Sequence, residues 1–394
     1  MSDIYRPAPG AHTPERRGPT AWRRLDLVLV LATLAIAAFG VLMVYSVTRV
    51  PLESTGASPD TYLKKQAIFV AIGAAVMLLL ARIDYRRWRP LVPFIYGVAV
   101  ILLLAVLKVG SSALGAQKWF QLGPLQLEPS EVAKLALILT LAAVASRGEG
   151  RLSGRRALLL VVLTGIPFVL VFKQPDLGTS LVLAAIVVAV ICLAGMKLWQ
   201  LGALTLIGVA GVFGLVQVGV LHQYQTARLT SFLHTPPTVN QKLLNAKTTT
   251  AANEYNVIQS KDAITHGGVS GTGLFKGTFT NLSEVPEQQT DFIFSAVGEQ
   301  VGLVGCALLL LLFLIVMWRT WRSAAVARDA FGMLICVGVL AMLLFQLFEN
   351  AGMTMGIMPV AGIPLPWMSY GGSALLVDFA AIGLVLSVRM HRAL

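Results

Sequence analysis

The sequence predicts an all-α integral membrane protein with ten transmembrane helices and one large extracytoplasmic loop between helices 7 and 8. Three observations carry this. Of 394 residues 56% are hydrophobic and only 13% are charged, about half the roughly 25% usual in soluble domains. The mean hydropathy is +0.75, and the apolar residues fall in runs long enough to cross a bilayer. The basic residues alternate between the segments joining those runs.

Taken in order, residues 1–21 are polar and interrupted by Pro7, Pro9, Pro14 and Pro19, which predicts a disordered cytoplasmic tail. Residues 22–394 form the membrane domain. Its spans are expected near 25–47, 66–82, 90–107, 131–146, 157–173, 179–195, 198–220, 291–318, 329–349 and 371–388. With both termini inside, the inner segments collect Arg23, Arg24, Arg82, Arg86, Arg87, Arg89, Arg147, Arg151, Arg155, Arg156, Lys197, Arg319, Arg322, Arg328, Arg389 and Arg392. Each of these segments is short, as the positive-inside rule requires. The net charge of +12 is thereby assigned to cytoplasmic loops and implies no nucleic acid. Cys192, Cys306 and Cys336 all sit inside apolar runs and read as packing residues.

The outer segment 221–290 is too long for a plain connection. Tyr255 to Ile264 reads as a short helix, followed by Gly267, Gly268, Gly271, Gly273 and Gly277. The run from Gly268 to Gly273 lacks the Lys and Ser/Thr of a phosphate loop, so its glycines are assigned to tight turns and close backbone approach. The stretch from Met358 to Ser373 holds Pro359, Pro364 and Pro366. It cannot be regular helix, and at membrane depth it must be buried in protein or line a cavity.

Ionisable residues at membrane depth are functional candidates: Glu131, Lys134, Asp291, Glu299, Glu349 and Asp378. Thr290 and Asp291 read as N-cap and first-turn carboxylate of span eight, where Asp291 is either a plain helix-end charge or a catalytic carboxylate at the water boundary. Glu299 would lie about 12 Å deeper and take a partner inside the bundle. Glu131 and Lys134, three apart, share one helix face and can pair. The histidines show no metal-ligand spacing.

Several segments together are similar to the SEDS (shape, elongation, division and sporulation) family of bacterial peptidoglycan polymerases. They are Gly115 to Trp119, Glu128 to Lys134, Gln174 to Thr179, Tyr255 to Ser260, Val285 to Phe294 and Pro359 to Ser373. The resemblance covers nearly the whole chain beyond the tail and is strongest to the elongation member. It implies a ten-helix fold and polymerisation of lipid II into β-1,4 glycan strands outside the cytoplasmic membrane, for elongation and rod shape. It implies Asp291 as catalytic carboxylate and Arg49, Lys118, Glu131, Lys134, Gln259 and Ser260 as substrate-binding residues. A class B penicillin-binding protein is the implied protein partner, lipid II and membrane lipids the other partners. A divalent cation, Mg²⁺ or Mn²⁺, is a further expectation. The family usually has Arg where this chain has Lys118, which loses bidentate phosphate binding, and His where it has Gln289. The competing readings are a lipid II flippase and a division-type polymerase of the same family.

The orientation is testable. A cysteine placed at position 240 should react with an impermeant thiol reagent from the outer side. Labelling from the cytoplasmic side alone would overturn the ten-span arrangement.

Overall fold

The computed structural model describes residues 24–113, 116–123, 125–147, 153–196, 202 and 249–392. Six helices come first: α1 (Leu27–Ser54), α2 (Thr61–Arg82), α3 (Val92–Val109), α4 (Pro129–Ala145), α5 (Gly154–Lys173) and α6 (Leu177–Leu193). Beyond residue 248 follow α7 (Thr249–Gly267), the single turn α8 (Thr278–Asn281), α9 (Ile293–Ala325), α10 (Ala330–Thr354) and α11 (Gly372–Met390). Nine predicted spans correspond to α1–α6 and α9–α11; the seventh, 198–220, lies outside the described residues. Among the described residues seven helical stretches are long and apolar enough to cross a membrane, so the chain is a multi-pass membrane protein.

The other two, α4 and α6, have 17 residues each, about 25 Å of helix. That is short of a hydrocarbon core of about 30 Å. Helix α4 is buried on almost every face. It packs between α3 and α10, while α11 lies against α2 and α10 contacts both α6 and α9. The periphery is α2, α3, α5 and the later part of α9. Their exposed Ile72, Phe94, Ile101, Leu159, Val162, Leu308 and Leu314 form the apolar surface a lipid-facing helix needs.

Two features depart from the sequence reading. Residues 111–127 contain a three-stranded antiparallel meander, β1 (Ser111–Ala113), β2 (Ala116–Leu122) and β3 (Leu125–Leu127). Phe120 pairs with Leu127 and Gln121 with Gln126, and Gly123 turns at φ +63°, a conformation that favours glycine. Helix α9 is not one straight span either. Gly302 sits at φ 68°, ψ −168° and breaks it.

Residues 268–273 fill the break. Leu303 N–H donates to Gly268 O at 2.9 Å and Val304 N–H to Val269 O at 3.2 Å. In return Thr272 N–H reaches Glu299 O at 2.9 Å and Gly273 N–H reaches Gln300 O at 3.0 Å. A Cβ on Gly271 or Gly302 would collide with the opposing backbone, which accounts for the glycine run as close approach. Residues 293–300 are buried, whereas exposed Leu303 and Val304 begin the apolar outer surface. The break thus divides α9 into a buried first part, which holds Glu299, and a later part that carries the exposed apolar surface.

The N-terminal end of α1 and the C-terminal ends of α9 and α11 meet at one carboxylate. Asp26, 3% exposed, caps α1 through Leu29 N–H at 3.2 Å. It also receives Arg319 Nε at 2.7 Å and Nη2 at 2.6 Å, and lies 3.1 Å from Arg389 Nη1. Removing the carboxylate strands two half-buried cations. Asp26→Ala should cost roughly 3–5 kcal/mol, the usual penalty for breaking a buried pair, measured by reversible unfolding in detergent micelles. A loss below about 1 kcal/mol, the range of surface pairs, would contradict this account.

Candidate active site

A cavity of ≈ 640 Å³ opens among the N-terminal ends of several helices. Tyr62, Lys65 and Phe69 of α2 form one wall, and Lys118, Trp119 and Gln121 of β2 with Gln126 of β3 form another. Glu128 and Glu131 at the start of α4 and Thr179 of α6 contribute further. The remainder is Glu287, Gln289, Thr290 and Asp291, facing Gly362, Pro364 and the stretch from Tyr370 to Ala374. Of the predicted site residues Asp291, Lys118 and Glu131 line this one space.

Asp291 is partly exposed and precedes α9, whose N-cap is Phe292 with no side-chain cap. Thr290 is therefore not the cap. Its hydroxyl turns back to Glu287, donating to the backbone O and to Oε2 at 3.2 Å each. Without helical bonds of its own, the segment leans on the proline-rich stretch. Tyr370 N–H donates to Gln289 O at 2.8 Å, Ser369 Oγ to Thr290 O at 2.5 Å, and Asn350 Nδ2 to Asp291 O at 2.8 Å. The proline-rich stretch is non-helical and largely buried as expected; it both packs the interior and walls the cavity. A Cβ on Gly40 of α1 would strike Trp367 O and Met368, so this glycine lets the stretch approach α1.

Beneath the cavity floor Lys134 and Glu131 pair at 2.8 Å, each almost fully buried, as their spacing predicted. Asp378 of α11, 1% exposed, acts electrostatically on both. Lys118 lies 3.4 Å from Asp176, whose Oδ1 caps α6 through Thr179 N–H at 3.1 Å. Glu128 accepts from Ser130 Oγ at 3.1 Å, and its N–H donates to Ser373 Oγ at 3.3 Å. Burial pushes the Glu128 carboxyl up to about 7; Lys118 opposes the rise, and the carboxylates of Asp176 and Glu131 add to it.

Other candidates lie elsewhere. Arg49 donates through Nη2 to Phe275 O at 2.8 Å and covers the Phe275 ring at 4.8 Å, so it braces the outer segment and is not a cavity wall. Gln259 and Ser260 are on α7, where Ser260 Oγ donates to Thr354 O at 2.9 Å and joins α7 to α10. Glu299 finds the internal partners expected of it: Phe279 N–H at 2.8 Å, Thr280 N–H at 2.9 Å and Thr280 Oγ1 at 2.5 Å. It thereby caps α8. Glu349 is fully buried on α10 and does not line the cavity.

Sequence reasoning left Lys65, Glu128 and Glu287 unassigned. Lys64 and Lys65 read alike as helix-end charges, but Lys64 is exposed and lies 3.6 Å from Asp60, while Lys65 turns to the cavity. Glu128 stands inside a recognised segment, yet only the hairpin's fold brings Lys118 to it. Among the described residues no three His, Cys, Asp or Glu side chains form a group that could hold a metal ion. The donor set among the described residues does not make a protein cage for a divalent cation.

Residues 26–394 match the family model described as "Cell cycle protein", which groups FtsW, RodA and SpoVE. Peptidoglycan glycosyltransferase MrdB of Escherichia coli is 35% identical over 376 residues, covering 95% of this chain and 96% of that protein. Stage V sporulation protein E of Bacillus subtilis is 34% identical over 370 residues, covering 93% and 97%. Among solved structures, a chain from a peptidoglycan synthase complex described as coordinating polymerization and crosslinking superposes with TM-score 0.73 at 30% identity, covering 93% of this chain and 97% of that one. The rod shape determining protein RodA of Thermus thermophilus superposes with TM-score 0.67 at 30% identity, covering 94% and 98%. With near-complete coverage in both sequence and fold, the chain belongs to the FtsW/RodA/SpoVE family, the SEDS family of its sequence motifs.

Proposed function

We propose that this chain is a peptidoglycan glycosyltransferase that polymerises lipid II into β-1,4 glycan strands on the outer face of the cytoplasmic membrane, with both termini inside, in the elongation branch of the family. The observation that carries this reading is the placement of Asp291 in one cavity with Lys65 and Lys118. A carboxylate and two cations are the groups that glycosyl transfer from a lipid diphosphate needs.

In the proposed step the acceptor 4-hydroxyl gives its proton to the Asp291 carboxylate as its oxygen bonds to the donor's anomeric carbon. The bond from that carbon to the diphosphate breaks, and the lipid diphosphate leaves with the electron pair. One displacement converts an α-linked donor to a β-linked product. The leaving group needs charge neutralisation more than protonation, and Lys65 and Lys118 face the space where it would lie. Glu131 and Lys134, paired and buried, support the floor. A class B penicillin-binding protein is the proposed partner, since a related chain was solved within a synthase complex that coordinates polymerization and crosslinking.

General-base assistance is typically worth about 10²–10⁴-fold, so Asp291→Asn should slow strand synthesis from labelled lipid II by that order at wild-type folding. The assay is run with and without the partner transpeptidase. Wild-type turnover by Asp291→Asn would remove the mechanism, and an unchanged rate together with failed co-purification would remove the partner.

Glu128 gives a pH dependence with a definite sign. Its carboxyl is raised to about 7, so it is charged at pH 8 and neutral at pH 6. Losing that negative charge beside Lys118 favours an anionic donor. The KM for lipid II should fall about 3- to 10-fold from pH 8 to pH 6, roughly 1 kcal/mol for one charge in a partly solvated cavity. Glu128→Gln should show the lower KM at both pH values. A variant that keeps the wild-type slope would contradict the assignment.

A further inference from the structure

We infer that Asn350 and Ser369 are positioning residues for Asp291, holding its backbone in the orientation that presents the carboxylate to the cavity. The inference rests on the proposed role of Asp291 and adds how that role is maintained.

Helix α9 starts at Ile293, so residues 289–291 have no helical ladder. Locally they form a turn, with Thr290 N–H and Phe292 N–H both donating to Glu287 O at 3.1 and 3.2 Å. A turn of that kind leaves the peptide planes on either side of Asp291 free to rotate unless their carbonyls are held.

Two side chains hold them. Ser369 Oγ accepts from Leu365 N–H at 2.8 Å, which commits its lone pair and directs its own proton to Thr290 O. Asn350 is fully buried; its Nδ2 serves Asp291 O and Ile363 O, both at 2.8 Å. Two carbonyls at one nitrogen consume both amide protons, so only a residue with two donors satisfies this place. Each clamp also bonds the proline-rich stretch, through Leu365 or Ile363. Gln66 Nε2 in turn donates to Ser369 O at 3.1 Å, anchoring that stretch to α2. The carbonyls of Thr290 and Asp291, on either side of the Asp291 Cα, are thus tied to the proline-rich stretch and to α10, and the side-chain direction follows from the two peptide planes.

Catalysis is sensitive to such placement, since an error of about 1 Å costs on the order of 100-fold in rate. The test measures strand synthesis from lipid II by the full chain with its partner, alongside melting temperature and partner binding. Ser369→Ala removes the donor at almost constant volume, and Asn350→Asp keeps shape while replacing two donors by acceptors. Both should lower kcat by about 10- to 100-fold with KM for lipid II unchanged and partner binding intact. Ser369→Thr, which retains the hydroxyl, should recover most of the rate.

A purely structural role would lower the folded fraction and leave kcat per folded molecule untouched, and that result would overturn the inference. So would wild-type kcat in both Ser369→Ala and Asn350→Asp while Asp291→Asn is inactive, a result that leaves the function itself standing. If Ser369→Ala folds poorly, the kcat and KM of Asn350→Asp decide alone. Full activity of Asp291→Asn would instead overturn the proposed function, and the positioning role with it.

Discussion

Backbone polar groups inside a membrane protein must find partners within the protein, because lipid supplies none. Three irregular segments here satisfy that requirement through one another and through the helices they interrupt. Residues 268–273 fill the break in α9 at Gly302. Residues 289–291 give their carbonyls to Tyr370, Ser369 and Asn350. Ser369 and Asn350 in turn fasten the proline-rich stretch to itself and to α10. The cavity exists because these segments are non-helical, and they can be non-helical because their polar groups are paired. The site is in this sense a consequence of hydrogen-bond accounting.

The same constraint governs the charges. Asp26 is matched by Arg319 and Arg389, Lys134 by Glu131, and Lys118 by Asp176. These groups are buried or nearly so, and each carries a neighbour of opposite sign, as burial demands. Lys65 differs, since it lines the cavity without an ion pair among the described residues. A cation already matched contributes less to an incoming anion than one that is not. Lys118 is accordingly tuned by its carboxylate neighbours, and Lys65 carries its charge directly to the space.

Much of this was legible in the residues themselves. The spans followed from apolar runs and arginine placement, the Glu131–Lys134 pair from helical spacing, and the irregular course of residues 358–373 from three prolines. The break in α9 was not, because residues 291–318 read as one continuous span. Gly302 stands in it among other glycines, and only the facing glycines at 267 and 271 decide where backbone enters. The meander at 111–127 was missed for a related reason. Its strands are three to seven residues long and stabilised by pairing with each other rather than by a periodic pattern. Lys65 and Lys64 are adjacent and alike in type, so their opposite roles depend on helix rotation alone. Arg49, suggested by family resemblance, packs on Phe275 because the turn before α8 lies against α1.

One apparent difficulty has a physical answer. The cavity carries Glu128, Glu131, Glu287 and Asp291 against Lys65 and Lys118, an excess of negative charge where an anionic diphosphate must dwell. Glu131 is matched by Lys134, and desolvation pushes the Glu128 carboxyl up, which weakens its negative charge. The helices add a contribution that formal charges omit. In the proposed orientation α2, α4, α6 and α11 begin at the outer face, and their first turns supply Tyr62, Lys65, Glu131, Thr179, Ser373 and Ala374 to the walls. Each helix start carries roughly half a positive charge, and those of α2, α4 and α11 have no side-chain cap. An anion in the cavity is therefore met by the positive ends of these helix dipoles and by two lysines. The topology does part of the electrostatic work, and a chain with so few ionisable residues can build a site for a doubly anionic substrate.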